Sequence, residues 1–156
     1  MKHLPILAAF LALGAIQTVY SQQMTVDKLL MISIAVRDMD VSKEFYSSAL
    51  GFKVTQDYNQ NGQRWVSLSF PGGGASISML QAAQTENLKP GTQKLYFTTT
   101  DAEALWKAVT AKGITPTHVL TTETWKGSPW AAWFSLADPD GNQVMIAQMK
   151  TPLEQP

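Results

Sequence analysis

Hydrophobic and polar residues alternate in segment 31–36, where Ile32, Ile34 and Val36 are separated by Met31, Ser33 and Ala35. This period of two predicts a strand with one buried face. A helix is predicted next, at 41–49, because Asp residues that precede it suit an N-cap and Gly51 suits its C-terminal stop. Three further strands are predicted at 52–57, 64–70 and 76–80, and Asn61-Gly62 forms the hairpin turn between the first two.

The second half of the chain repeats this order. A strand is predicted at 94–99, and Thr100-Asp-Ala-Glu103 is a capping box for a helix that ends at Gly113. Strands are then predicted at 117–121, 131–136 and 143–148. The repeat places Lys94 where the first half has Met31, so we interpret the chain as a duplicated strand–helix–three-strand unit.

These boundaries predict one domain at 24–150, with a first module at 24–82, a linker at 83–92 and a second module at 93–150. A flexible tail is expected at 151–156. Residues 1–21 differ in composition, since an apolar run at 6–16 is too short to span a bilayer but has the length of a signal-peptide core. We predict a cleavable signal peptide and a periplasmic or secreted protein; an N-terminal anchor or a buried helix is the alternative.

Composition narrows the possible partners. Hydrophobic residues make up 45% of the chain and charged residues 15%, which is typical of a globular protein. The formal net charge is zero and there is no basic block, so nucleic acid and, after signal cleavage, membrane are not expected as partners. The chain has no cysteine, which excludes disulfides, thiolate metal ligands and a cysteine nucleophile.

Four segments together carry a resemblance to a known family: IAVRDMDVSKEFYSSALGFKV, FPGGGASISML, LYFTTTDAEALWKAVTAKGI and FSLADPDGNQVMI. They resemble the vicinal-oxygen-chelate superfamily, which includes glyoxalase I, bleomycin-resistance proteins, fosfomycin-resistance proteins and extradiol dioxygenases. The resemblance implies an α+β fold of two βαβββ modules, whose curled mixed sheets enclose a central cavity with the helices outside. It also implies a homodimer, but it does not decide between enzymes and binding proteins.

The resemblance implies that catalytic members hold a divalent metal with four residues, one from the first and one from the last strand of each module. By strand alternation these positions are occupied here by Met31, Ser78, Lys94 and Met145. Thioether, hydroxyl and ammonium groups are poor ligands for such a metal. We therefore predict no metal site and no cofactor, and we interpret His118 as a structural or solvent-facing residue.

The same alternation predicts an inner face that is rich in aromatic and small polar side chains. The predicted ligand-binding residues are Met31, Ser33, Trp65, Ser67, Ser78, Lys94, Tyr96, Trp125, Trp130, Trp133 and Met145. Aromatic faces with a few polar groups suit a small aromatic or amphipathic ligand, and Lys94 would favour an anionic one. The alternative is that these aromatic residues fill the core or form a dimer interface.

Three functions remain open at this stage. The first is an exported, non-catalytic protein that sequesters a small molecule in a metal-free pocket, as bleomycin-resistance proteins do. The second is an enzyme of the glyoxalase, lyase or dioxygenase type, either with a metal held elsewhere or with Lys94 as base or nucleophile. The third is an interaction module. Asp138 and Asp140 are interpreted only as turn residues.

Overall fold

The computed structural model describes residue 26 and residues 28–151. In the first module it contains β1 (Met31–Val36), α1 (Met39–Glu44) with a π-helical continuation (Phe45–Ala49), β2 (Lys53–Gln60), β3 (Gln63–Ser69) and β4 (Ser76–Gln81). After a 3₁₀ turn (Ala82–Gln84), the second module contains β5 (Lys94–Thr99), α2 (Ala102–Ala111), β6 (His118–Thr121), β7 (Trp130–Ala137) and β8 (Gln143–Met149). The predicted signal peptide and the tail beyond residue 151 lie outside the described residues.

The strands form two four-stranded mixed sheets with equivalent topology, ordered β1-β4-β3-β2 and β5-β8-β7-β6. In each sheet the first and last strands of the module are parallel, and the other neighbours are antiparallel. The predicted α+β class with two βαβββ modules is confirmed. The sheets are open, not closed barrels.

The duplication is visible in the strand register. Met31 pairs with Ser76 as Lys94 pairs with Gln143, and Trp65 pairs with Leu80 as Trp133 pairs with Ala147. Trp65 and Trp133 are therefore equivalent positions, and so are Ser67 and Ser135 two residues later.

An aspartate side chain caps each helix; the predicted Thr100–Glu103 capping box does not form, because Asp101 and not Thr100 is the N-cap of α2. The Asp38 carboxylate accepts hydrogen bonds from the backbone N–H groups of Asp40 and Val41 at 2.9 and 3.0 Å, and Asp101 accepts one from Ala104 at 2.9 Å. These bonds satisfy backbone donors that have no partner within the helix. In the described residues no helix is long and apolar enough to cross a membrane.

One hydrophobic core joins the two modules on the helix-facing sides of their sheets. Phe97 of the second module lies 5.3 Å from Phe52 and 5.4 Å from Phe70 of the first, between ring centroids. Both contacts have the edge-to-face geometry that aromatic quadrupoles favour. The modules therefore pack together through their helix-facing sides, and the opposite face of each sheet is left for other contacts.

The turn 138–142 is a buried polar clamp between the modules, which goes beyond the simple turn role predicted for its aspartates. The Tyr46 hydroxyl donates to Asp138 Oδ2 at 2.8 Å, Ser42 Oγ donates to Asp140 Oδ2 at 2.9 Å, and the Arg37 backbone N–H donates to Asp140 Oδ1 at 2.8 Å. Burial, together with the nearby Asp138 charge, raises the pKa of Tyr46 well above its usual value. The clamp thus ties β1 and the first helix to the second module.

Candidate ligand-binding site

The inner face of the first sheet (Ser33, Trp65, Ser67 and Ser78) is a hydrogen-bonded row of hydroxyls beside an indole. Ser78 lies opposite Ser33 on one side and Ser67 on the other, and the hydroxyl oxygens of Ser33 and Ser78 are 2.7 Å apart. Trp65 Nε1 donates to Ser67 Oγ at 2.7 Å. Ser78 and Ser67 are buried, so these bonds satisfy polar groups that would otherwise be costly to bury.

A cavity of about 310 Å³ lies at the end of this inner face. Tyr58, Trp65 and Leu80 are register partners and form one wall. The remaining lining residues are polar: Gln60, Asn61, Gln63, Arg64, Gln84 and Thr85. The first sheet therefore offers an indole and a phenol beside amide groups.

Arg64 at this cavity is already neutralised by acidic neighbours. Its Nε donates to Asp57 Oδ1 at 2.8 Å, and one terminal nitrogen lies 2.9 Å from Asp40 Oδ1. The Arg64 and Lys43 cations lower the pKa of Asp40 to about 2. Arg64 is therefore a weak candidate for binding an anionic ligand.

The inner face of the second sheet (Tyr96, Trp133, Ser135 and Met145) is equivalent to the first but more aromatic. Met145 lies between Tyr96 and Ser135 in the register, and His118 pairs with Ser135 on the outer side. Ser135 and Met145 are buried, whereas Tyr96 is 63% exposed. The second inner face therefore combines buried Ser135 and Met145 with the exposed phenol ring of Tyr96.

Four aromatic rings on the second sheet and the loop before β7 lie next to one another in order along its surface, and they are called here the aromatic ladder: His118, Trp133, Trp130 and Trp125. The His118 ring is stacked on Trp133 with centroids 4.2 Å apart and an interplanar angle of 3°. Trp130 follows at 6.2 Å from Trp133, and Trp125 follows at 5.3 Å from Trp130. Trp125 remains 57% exposed, so the ladder ends in solvent.

Tyr58 and Leu80 at the first cavity were not among the predicted site residues, and neither was His118. The exposure of His118 agrees with the solvent-facing role that we predicted, but its stacking on Trp133 was not foreseen. Its position could have been predicted from β6, because alternate residues of a strand paired with β7 lie on the same face as Trp133 and Ser135. However, the pairing of β6 with β7 is irregular between His118 and Thr121, so simple alternation along β6 does not predict this face.

The predicted site residues fall into two groups in the structure. Met31, Ser33, Trp65, Ser67 and Ser78 belong to the first sheet, and Lys94, Tyr96, Trp125, Trp130, Trp133 and Met145 belong to the second sheet or the loop before β7. Within the part of the chain that the structure describes, no hydrogen bond, salt bridge or aromatic contact joins the two inner faces. The predicted site residues therefore lie on two separate inner faces.

The residues at the four predicted chelating positions do not fit a divalent metal. Met31 and Ser78 are diagonal neighbours across β1 and β4, and Lys94 and Met145 are equivalent neighbours across β5 and β8. None of them offers an imidazole or carboxylate donor, and a Lys94 ammonium would repel a cation. Across residues 28–151 no three His, Cys, Asp or Glu side chains lie close enough together to hold a metal ion.

One protein-family model matches the chain over most of its length. The family model for the Glyoxalase/Bleomycin resistance protein/Dioxygenase superfamily matches residues 28–146. No curated protein matches the chain in sequence.

Solved structures share the fold over nearly their whole length. TnmS3, an antibiotic binding protein from Streptomyces sp. CB03234, is 23% identical with a TM-score of 0.68, over 81% of this chain and 99% of that chain. A glyoxalase/bleomycin resistance protein/dioxygenase superfamily member from Sphaerobacter thermophilus is 25% identical with a TM-score of 0.67, over 79% and 98%. A glyoxalase/bleomycin resistance protein from Streptomyces sp. CB03234 is 24% identical with a TM-score of 0.63, over 78% and 100%.

Proposed function

Because the chain belongs to the glyoxalase/bleomycin resistance protein/dioxygenase superfamily, we propose that it binds and sequesters a small aromatic or amphipathic molecule without transforming it. The observation that carries this proposal is the matched Trp-x-Ser pair on the two inner faces, Trp65 with Ser67 and Trp133 with Ser135. Both modules keep a large aromatic surface beside a buried hydroxyl at the same position.

The chemistry of these faces suits a planar ligand. Indole and phenol rings give a large contact area with few rotatable bonds, and hydroxyls beside them fix the orientation of polar groups on the ligand. Lys94 is exposed at the end of the second inner face and would favour an anionic substituent.

We propose that two copies of the chain complete the site as a homodimer. Ser67 and Ser135 at the centre of the inner faces are buried, but Tyr96 of the second face and Trp125 of the loop before β7 are 63% and 57% exposed. Large exposed aromatic side chains are typical of interfaces and binding surfaces. The first inner face of one copy would then lie opposite the second inner face of its partner, with one ligand between each pair of half-sites.

Binding without turnover is supported by the groups at the family's chelating positions, which do not fit a metal. The alternative, a metal-free enzyme that uses Lys94 as base or nucleophile, predicts that Lys94→Met abolishes turnover while binding is retained. TnmS3 has the same fold and is an antibiotic binding protein, and we extend that kind of role to this chain as a proposal. Together with the signal segment predicted at 1–21, this gives a binding protein that acts outside the cytoplasm.

The experiment is a tryptophan-fluorescence titration of the mature protein with three aromatic antibiotics: bleomycin and doxorubicin, which are cationic, and nalidixic acid, which is anionic at neutral pH. We expect saturable quenching by at least one of them, because stacking on Trp65 or Trp133 places the ligand against an indole. Trp65→Ala and Trp133→Ala are each expected to weaken binding by about tenfold or more, as removal of a stacking residue commonly costs over 1 kcal/mol.

The matched control is Trp106→Phe, which changes a tryptophan on α2 that packs against the core and not on either inner face. Its dissociation constant should equal that of the parent protein. Absence of saturable quenching with all three compounds, or unchanged affinity in the Trp65 and Trp133 variants, would contradict the proposal.

A further inference from the structure

A second cavity, called here the inter-module groove, lies on the opposite side of the sheets from the inner faces. Its volume is about 400 Å³, and it lies where the turn after β3 meets the junction of β5 and α2. Six apolar side chains line it: Leu50, Phe52, Phe70, Phe97, Leu105 and Ile146. None of the residues named above for the inner faces lines it, and only Thr98, at the end of β5, alternates in phase with Tyr96.

The internal duplication explains why this space is open. The turn after β3 is equivalent to the turn after β7, because Ser69 pairs with Ser76 as Ala137 pairs with Gln143. Both turns contain the same backbone hydrogen bond, from Gly73 to Phe70 and from Gly141 to Asp138, each 3.0 Å long. The groove is therefore the counterpart of the polar clamp.

In the polar clamp, polar side chains occupy the space between the turn and the helix, and the groove has no such side chains at the equivalent positions. Asp140, which accepts bonds from Ser42 and Arg37, is replaced at the equivalent position by Gly72. Ser42 itself is replaced on α2 by Leu105. A Cβ atom built on Gly72 or Gly73 would meet no atom within 4 Å, so the glycine turn leaves room.

These replacements also remove the charged groups from the space. All twelve residues that line the groove are uncharged. Phe52, Phe70 and Phe97 form a cluster with centroids 4.7–5.4 Å apart. The groove is open to solvent and is also lined by Thr98, Thr99 and Thr100, so an occupant that covers the exposed apolar side chains would be stabilised by removing them from water.

We propose that the inter-module groove is a second binding site, and that its ligand is a neutral aromatic compound of one or two rings. The volume lies in the lower part of the range for small-molecule pockets, which suits a ligand of that size. The phenylalanine cluster provides ring edges and faces for aromatic contact. The site is independent of the inner faces, so either proposal can fail without the other.

The test uses prodan (6-propionyl-2-dimethylaminonaphthalene), a neutral two-ring fluorescent probe, titrated into the mature protein. We expect a saturable component that Leu105→Trp weakens by about tenfold or more, because the larger ring overfills the groove. Val41→Trp, at an exposed position of α1 outside the groove, is the matched control, and it should bind the probe as the parent does. Trp65→Ala, on the first inner face, should leave this component unchanged.

Gly72→Leu repeats the test from the opposite wall if Leu105→Trp does not fold, as judged by thermal unfolding. The φ angle of Gly72 lies outside the left-handed region, so a side chain there introduces no backbone strain. Absence of any saturable component, or a component that Trp65→Ala removes and the groove variants leave intact, would overturn the proposal.

Discussion

Asp138 shows how one buried side chain connects two modules. Its Oδ1 accepts from the backbone N–H groups of Asp140 and Asn142 at 2.9 and 2.8 Å, and its Oδ2 accepts from Tyr46 and from the Asn142 amide, both at 2.8 Å. Only 4% of the residue is exposed, so these bonds replace water for a charged group. Alternation within one strand cannot predict such a role, because the partners are 92 and 4 residues away.

Removal of the tyrosine hydroxyl tests this clamp. Tyr46→Phe is expected to lower the free energy of unfolding by about 2 kcal/mol, since it deletes a buried hydrogen bond to a carboxylate. Asp138→Ala should cost more, about 3 kcal/mol or above, because it leaves several buried donors without a partner. Urea unfolding measures both values.

Tyr58→Phe is the control at this scale, because the Tyr58 side chain is 46% exposed. Its effect should stay within about 0.5 kcal/mol. If Tyr46→Phe were as mild as Tyr58→Phe, the clamp would not contribute to stability as described.

At the scale of elements, the strands and helix starts were predictable because their signals are local. Period-two alternation located the strands, and polar capping residues before an apolar segment located both helix starts, although Asp101 and not Thr100 caps the second helix. The first helix differs in detail, since it begins at Met39 and its last turn, Phe45–Ala49, is π-helical. That wider turn carries Tyr46, whose bond to Asp138 is a tertiary contact that local signals do not contain.

The helix caps give a prediction at this scale. Asp101→Ala should destabilise the protein by about 1 kcal/mol, because Ala104 loses its N–H acceptor at the start of α2. Asp101→Ser should retain most of the stability, since a serine hydroxyl also caps. Thermal or urea unfolding distinguishes the two, and a serine variant as unstable as the alanine variant would contradict a capping role.

At the scale of the whole molecule, the sequence was sufficient for the two βαβββ modules but not for how they meet. The predicted site residues lie on two sheets whose inner faces have no described contact within one chain. Association of modules through the helix-facing sides depends on Phe97 meeting Phe52 and Phe70, and on the polar clamp. Such pairings between distant segments have no periodic signature along the chain, which is why the groove was not foreseen either.

The central proposal, that a small-molecule site forms from the first inner face of one copy and the second of its partner, is tested most directly by subunit complementation. Trp65→Ala and Trp133→Ala proteins, each weakened in doxorubicin, bleomycin or nalidixic acid binding, are mixed, exchanged and titrated by fluorescence. In a mixed dimer one site combines both substitutions, and the other combines the intact Trp65 face with the intact Trp133 face.

We predict that about a quarter of all sites in a random mixture regain the parent affinity, because half the dimers are mixed and each restores one of its two sites. A mixture that binds no better than either variant alone, although subunits exchange, would contradict a site shared between two copies.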